Sequence, residues 1–528
     1  MRRGPDVVHV TRSKFVKPEG EGFAVGRGGV ETAMAGAVPG PDVEVALDVQ
    51  AGVNPQEVRW MRTEVDKRKV RGLETHRDDE FAEPISHVIL EQMLKASEFE
   101  DFRRMSILWW WVHHRNPENL RVDATKNDFR RYFDRYNQVS YGIAEKMHQE
   151  GLLRPDVPVL IHDAYYFPRV PQGIALMNRN RGRSRLPPID AHLVGINHIP
   201  FPSVEDFQMI EGLDIPGFQV VDSQGMTLAR KVVMHYLAGW AGLNTISFHT
   251  DKDARNFESA VEYYLSGRKI GIPELLVNPL GINIEHVETV LERVSPADRE
   301  RVVGLLRDSG LELPTLRDKT VFVDIGTRAD PIKRIPLKFQ GFAELLSQRP
   351  DLRGKVQLIQ QIRQHRQEYP SYRREYEEVV ALRDRINARY DNDTIVLVDQ
   401  ALDNTDVLLM YRMLAESAGR FSGCFTGYEG MCLSAQECAI SAADFHPGLI
   451  VTEEAGVGNT MRMRGINRDF IIPQHPTPAD VARAMSAMHD APVNQIADSA
   501  RDIRRMIEDI QLPHWKDRVM AAAFKKKP

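Results

Sequence analysis

Short apolar runs alternate with amphipathic stretches along almost the whole chain. The runs DVVHVT (6–11), VPVLIH (157–162), HLVGIN (192–197), NTISFH (244–249), ELLVNP (274–279), TVFVDIG (320–326), KVQLIQQI (355–362), TIVLVD (394–399), GLIVTEE (448–454) and DFIIP (469–473) have the length and residue types of strands. Between many of them lie stretches such as ARNFESAVEYYLSG and DVLLMYRMLAESAG, with apolar residues at helical spacing. Strands alternating with helices predict parallel sheets of the doubly wound kind, an α/β fold. So many strands exceed one open sheet, so two such domains are expected, over residues 1–283 and 318–500. The charged, helix-patterned stretch 284–317, with Pro296 and Pro314, is expected to link them, and 501–528 to form a C-terminal helix returning to the first domain.

Composition narrows the class of partner. At 528 residues, with 42% hydrophobic and 27% charged positions, the chain has the make-up of an ordinary soluble globular protein of two or three domains. A net charge of −5 argues against nucleic acid as the main partner. No apolar run approaches the roughly 20 residues needed to cross a bilayer. The start, MRRGPDVVHVTR, reads as a first strand rather than a signal peptide. Cys424, Cys432 and Cys438 fit neither zinc-ligand spacing nor a disulfide framework, so they are expected to be reduced, buried thiols in a cytoplasmic protein. Small molecules are the expected partners, with no membrane, and an assembly of identical copies is compatible with the sequence. Two conspicuous stretches have plain structural readings. Trp109–Trp111 suits a helical core, and 363–392 suits a long solvated helix supported on one face by Tyr372, Tyr376, Val379, Val380, Leu382 and Ile386.

Open parallel sheets bind ligands outside the carboxyl ends of their strands, and polar residues there are the informative ones. One such end is VDIGTRADPIKRIPLKFQGF. Asp330 is a good N-cap and Pro331 suits the first helical position, followed by Ile335, Phe339, Phe342, Leu345 and Leu346 at helical spacing. Arg328 then falls in the loop and Lys333 in the first helical turn. Cations at a helix N-terminus oppose its dipole, so the arrangement suits a bound anion; two solvated surface cations would look the same in sequence. Other strand ends carry His162 and Asp163 (HDAYYFP), His198 (NHIPFP), and a Gly-Tyr-Glu-Gly turn before a helix with Glu437 (FSGCFTGYEGMCLSAQEC). The stretch GRGGVETAMAG (26–36) is a glycine turn running into small residues, without the lysine of a nucleotide P-loop.

The ordered set GRGGV, LIHDAYY, INHIPFPSVEDF, ISFHTDKDARNF, LLVNPLGIN, GTRADPIKR, GYEGMCLSAQE and IVTEEAGVGN resembles the trehalose-6-phosphate synthase family of retaining glycosyltransferases, most clearly from about residue 150 to 480. The resemblance implies the GT-B architecture, two doubly wound domains facing across a cleft. It implies that Arg328 and Lys333 hold the diphosphate of a nucleotide-sugar donor and that Gly28 and Gly29 approach the same phosphates. By the same resemblance His198 contacts the donor sugar, Asp163 faces the acceptor and Glu437 binds the ribose hydroxyls. Glu429, Gly430, Met431, Cys432 and Leu433 complete the donor pocket. No cofactor and no metal are expected, since the two cations serve the leaving phosphate.

The chain also departs from the family pattern. The family's aspartate before Gly-Met-Asn-Leu is here Glu429, its asparagine is Cys432, and its His-Asp-Tyr-His becomes His162-Asp163-Ala164-Tyr165. The segment 203–243 is longer than the family needs, and the aromatic grip on an acceptor phosphate is not recognisable in 50–140. The expected activity is therefore transfer from a nucleotide diphospho-sugar to a small polar acceptor other than glucose 6-phosphate, by a metal-independent front-face step. Pseudoglycosyltransferases of the validamycin type, which couple a nucleotide-linked cyclitol to an amine in antibiotic biosynthesis, share the resemblance. A non-catalytic sugar-nucleotide-binding relative and a sugar-nucleotide epimerase are the alternatives from other classes.

Overall fold

The computed structural model describes strands at 7–11, 16–19, 22–25 and 43–48, and then residues 96–525 except 117, 120–128, 150, 164, 166, 214–217, 222, 224, 269 and 391–392. The chain divides into two compact units, residues 1–278 with 516–528, and 279–515.

The first unit is built on a parallel sheet in the order Val43–Asp48, Val7–Thr11, Val159–His162, Leu193–Ile196, Thr245–Phe248, Glu274–Val277. A separate antiparallel pair, Val16–Glu19 with Gly22–Val25, accompanies it. The helix Ala96–His113 buries Trp109 and Trp111 completely, and Trp109 stacks on Tyr236 with ring centroids 3.9 Å apart. The tryptophan cluster is core.

The second unit has a parallel sheet in the order Ile395–Asp399, Val356–Ile362, Thr320–Asp324, Arg420–Phe425, Gly448–Thr452, Ile471–Ile472. In chain order this is 3-2-1-4-5-6, the dinucleotide-binding topology. Successive side chains alternate between two cores, one on each face of the sheet. Val321, Val323, Val396 and Val398 enter one, against the helices Asn404–Ser417 and Leu433–Ser441; Phe322, Leu358, Ile395 and Leu397 enter the other, against Ile335–Gln348 and Pro478–Asp490. Helices on both faces explain why these strands read as continuous apolar runs. The GT-B class, with two doubly wound α/β domains, is thus the fold found.

Three local expectations need correction. The stretch 284–317 is not a free link: it forms the helices Ile284–Glu292 and Pro296–Asp308, and Ile284, Val287, Val302 and Leu306 are part of the second unit's core. Of the segment 501–528, Ile503, Met506 and Ile507 likewise belong to that core, and only residues from Lys516 onward go with the first unit. Lys333 does not lie in the first turn of the α-helix. Asp330 caps a short 3-10 turn, Pro331–Lys333, and Arg334 breaks it at φ 50° before the α-helix starts at Ile335. The long charged stretch behaves as expected, a helix over Pro370–Tyr390 with Tyr372, Val379, Leu382 and Ile386 buried.

Candidate functional site

In the second unit the strand order reverses between Thr320–Asp324 and Arg420–Phe425, and ligands of such sheets bind at that point, beyond the carboxyl ends. The two chain segments that leave there are Ile325–Arg334 and Thr426–Cys432. The first begins over a buried ion pair. Asp324 accepts from the Lys338 ammonium, which also donates to Gln360 Oε1 at 2.8 Å, and from the Thr327 hydroxyl. Gly326, at φ 79°, makes the turn that a side chain would strain. The Thr327 N–H donates to Gln361 Oε1 at 2.8 Å and the Ala329 N–H to the Arg363 carbonyl at 3.0 Å, so the neighbouring strand end carries the loop.

The two segments are tied together at the turn Pro331–Lys333. The Tyr428 N–H donates to the Ile332 carbonyl at 2.8 Å, and the Thr426 hydroxyl to the Lys333 and Arg334 carbonyls at 3.0 and 3.2 Å. Lys333 Nζ lies 2.5 Å from Glu429 Oε2, both side chains partly exposed. Although burial alone would pull Lys333 down, the Glu429 carboxylate holds it above the ordinary lysine value, so it is a cation at any working pH. Arg328 donates to His365 Nε2 at 3.3 Å. Glu437 has its carboxyl pushed up to about 7 by burial, against the opposing pull of Asn404 and Lys333.

Backbone dipoles converge on the same edge. The helices Ile335–Gln348, Leu433–Ser441 and Gly456–Met463 begin at Arg334, Cys432 and Ala455, none of which gives a side-chain cap. Elsewhere in this unit Asn283, Ser295, Asp403 and Thr477 cap their helices, while Pro492 before Val493–Ile510 gives no cap. The starts at Arg334 and Cys432 leave N–H groups and a positive dipole end to an anion. Arg334 and Cys432 are both left-handed, at φ 50° and 49°, a conformation that costs a non-glycine residue about 1–2 kcal/mol. A further close approach joins two of these loops: the Gly456 N–H donates to the Gly430 carbonyl at 2.5 Å, and a Cβ on Gly456 would lie 2.6 Å from that oxygen.

Asp163 and His198 belong to the first unit. Asp163 follows the strand Val159–His162 at φ 47°. His198 lies in a rigid loop: the Phe201 N–H donates to Asp253 Oδ1 at 2.8 Å, and Asn256 Nδ2 donates to the Phe201 carbonyl at 2.8 Å. His113 Nδ1 is 2.5 Å from the Pro200 carbonyl, which can only accept, so Nδ1 carries the proton and Nε2 accepts from the Tyr236 hydroxyl at 2.6 Å. A row of buried imidazoles runs along the carboxyl ends of three neighbouring strands. His162 Nδ1 is 3.2 Å from His198 Nε2, and the His198 and His249 ring centroids are 5.7 Å apart. Burial holds His198 well below the usual histidine value and His249 at about 4, so these two imidazoles are neutral.

The model of glycosyltransferase family 20 matches residues 37–467. The chain belongs to that family. This family-20 enzyme is a glycosyltransferase of the trehalose-6-phosphate synthase group. It is 24% identical over 431 residues to the α,α-trehalose-phosphate synthase (UDP-forming) of Yarrowia lipolytica, covering 78% of each chain. Among solved structures it resembles the UDP-forming synthase of Burkholderia vietnamiensis (21% identity, 85% of this chain and 90% of that one, TM-score 0.64). It also resembles that of Burkholderia xenovorans in complex with glucose 6-phosphate (17% identity, 98% and 99%, TM-score 0.68).

Of the residues singled out in the sequence, the second unit brings Arg328, Lys333, Glu429, Gly430, Met431, Cys432, Leu433 and Glu437 to one sheet edge. Gly28 and Gly29 lie outside the described residues. The family-20 chain also carries residues that the sequence did not flag. Arg334, Glu454 and His249 stand at strand ends or turns, and inspecting the last residue of every predicted strand would have raised Glu454 and His249.

Proposed function

We propose that the chain is a retaining glycosyltransferase that moves a sugar from a nucleotide diphospho-sugar to a small polar acceptor other than glucose 6-phosphate, without a metal ion. One observation carries the donor half: Arg328 and Lys333 stand at the switch point of the sheet beside the uncapped helix starts at Arg334 and Cys432. A diphosphate suits that chemistry, because cations and free N–H groups offset its charge together. As the bond from the anomeric carbon to the phosphate oxygen breaks, the electron pair stays on that oxygen. Donors already fixed around it stabilise the departing charge more than the ground state. In a front-face step the same oxygen takes the proton of the acceptor, so no separate strong base is required. In this reading Glu437 accepts from the ribose hydroxyls, Glu429 and His198 contact the donor sugar, and Asp163 faces the acceptor.

The acceptor half rests on the departures at Ala164, Tyr165 and 203–243 and on the unrecognisable aromatic grip in 50–140. A site without a phosphate grip leaves a dianion poorly compensated, which disfavours glucose 6-phosphate. The test begins with thermal shift in UDP, GDP, ADP and dTDP, where a bound nucleotide raises the melting point. The relatives named UDP-forming make UDP the first to try. The enzyme is then incubated with UDP-glucose or GDP-glucose and glucose 6-phosphate, with and without EDTA. The expected result is nucleotide binding, no efficient formation of trehalose 6-phosphate, and donor turnover indifferent to EDTA. Efficient trehalose 6-phosphate formation would overturn the acceptor assignment, and activity lost to EDTA and restored by magnesium would overturn metal independence.

A further inference from the structure

The turn that presents Lys333 ends on a residue unsuited to its backbone. Arg334 is left-handed, a conformation glycine adopts freely and arginine does not. Its side chain supplies the reason. The guanidinium pairs with the carboxylate of Glu454, which is fully buried, and its Cζ lies 5.7 Å from the centre of the Tyr428 ring. The same carboxylate accepts from the His475 N–H at 3.3 Å. Loops leaving four strands therefore meet at one ion pair: Arg334 after Thr320–Asp324, Tyr428 after Arg420–Phe425, Glu454 after Gly448–Thr452 and His475 after Ile471–Ile472. A buried carboxylate needs its partner, so the pair holds these loops in one arrangement. Lys333 is the preceding residue, and its carbonyl and that of Arg334 are both held by Thr426.

We propose that Arg334 is a positioning residue for the transfer reaction: through Glu454 it fixes the turn that aims Lys333 at the donor phosphates. This rests on the donor reading above. Arg334 acts through Lys333 because its guanidinium is committed to the fully buried Glu454 carboxylate, whereas Glu429, the partner of Lys333, is partly exposed.

Replacing Arg334 alone would strand a buried carboxylate, so the informative variant is Arg334→Gly with Glu454→Gln. Glycine suits the left-handed backbone and glutamine carries no charge. The readouts on the full chain are the melting point and the affinity for UDP, or for GDP if the wild type prefers it, by calorimetry. The paired variant should melt near the wild type yet bind the nucleotide about ten-fold more weakly. In a Lys333→Ala background the same pair should change affinity by less than about two-fold, since residues acting as a unit are not additive. A merely structural pair would give losses that multiply in that background. Multiplying losses, or wild-type affinity in the folded paired variant, would overturn the proposal. The donor reading fails separately, if the wild type binds no nucleoside diphosphate or Lys333→Ala binds it equally well.

Discussion

Lys333 and Arg328 are the side chains on which the donor assignment depends most directly. Lys333→Ala and Arg328→Ala should each lower turnover at least about ten-fold, because a charge-assisted contact to phosphate is worth about 1.5–3 kcal/mol. Both side chains are partly exposed, so circular dichroism should show the fold intact while steady-state kinetics show the loss. Wild-type rates in both variants would remove the phosphate assignment. Cys432 gives a second expectation from its backbone. At φ 49° and nearly buried, it sits where asparagine is tolerated and β-branched residues are worst. Cys432→Asn should melt at or above the wild type, whereas Cys432→Val should lose about 1 kcal/mol or more in denaturant titration. The opposite order would show that thiol packing outweighs the backbone. Placement beyond a strand end was legible where it lay in contiguous motifs, as at Arg328, Lys333 and Glu429. Arg334 and Glu454 were not, because a left-handed torsion and a pairing across 120 positions leave no local trace in composition or spacing.

Elements with continuous apolar runs could be read from the sequence, whereas the strand Arg420–Phe425 was marked only by the turn that follows it. Ser422, Gly423 and Cys424 interrupt its pattern, yet the interruption has a cause in packing. A Cβ on Gly423 would lie 2.6 Å from the Phe425 ring and 3.0 Å from Cys438 Sγ. The strand that sets the switch point was thus concealed by the close fit it makes. The 3-10 turn before Ile335 was missed for a related reason: Asp330-Pro331 is a good helix start, and only the torsion at Arg334 postpones the helix. Close fit also governs the helix pair Ile335–Gln348 and Pro478–Asp490. A Cβ on Gly341 would lie 2.5 Å from Val481 Cβ and 2.9 Å from the Pro478 carbonyl. Gly341→Ala should therefore destabilise the second unit by about 1–3 kcal/mol despite alanine's better helix propensity. A Gly341→Ala variant as stable as the wild type in urea titration would show that the helices can separate cheaply.

At the scale of the whole molecule the two units should respond to pH in opposite senses. In the first unit, burial depresses His113 to about 3 and His249 to about 4. The unfolded chain takes up these protons near pH 6.5, so the stability they contribute is complete above 6.5 and falls as pH drops toward 3–4. For a fully buried group the slope is about 1.4 kcal/mol per pH unit. In the second unit, burial raises Glu437 to about 7, and burial with Asp330 raises Glu375 to about 8. Their contribution is complete below about 4.5 and is lost as pH rises through 7–8. Limited proteolysis at pH 5 should therefore cut the first unit before the second, and calorimetry should show the first unit's transition moving down on acidification. Equal acid sensitivity of both units would contradict this. The division into units also bears on synthesis. Residues from Lys516 onward belong to the first unit although they follow the second, with Val519 and Ala523 buried and Lys525 Nζ 2.8 Å from Glu274. Because the ribosome works from the N-terminus and domains fold as units, the contiguous second unit can close while the first still lacks its last helix. The unit begun first is finished last, and until then the nascent chain shows water an apolar face that a chaperone would recognise.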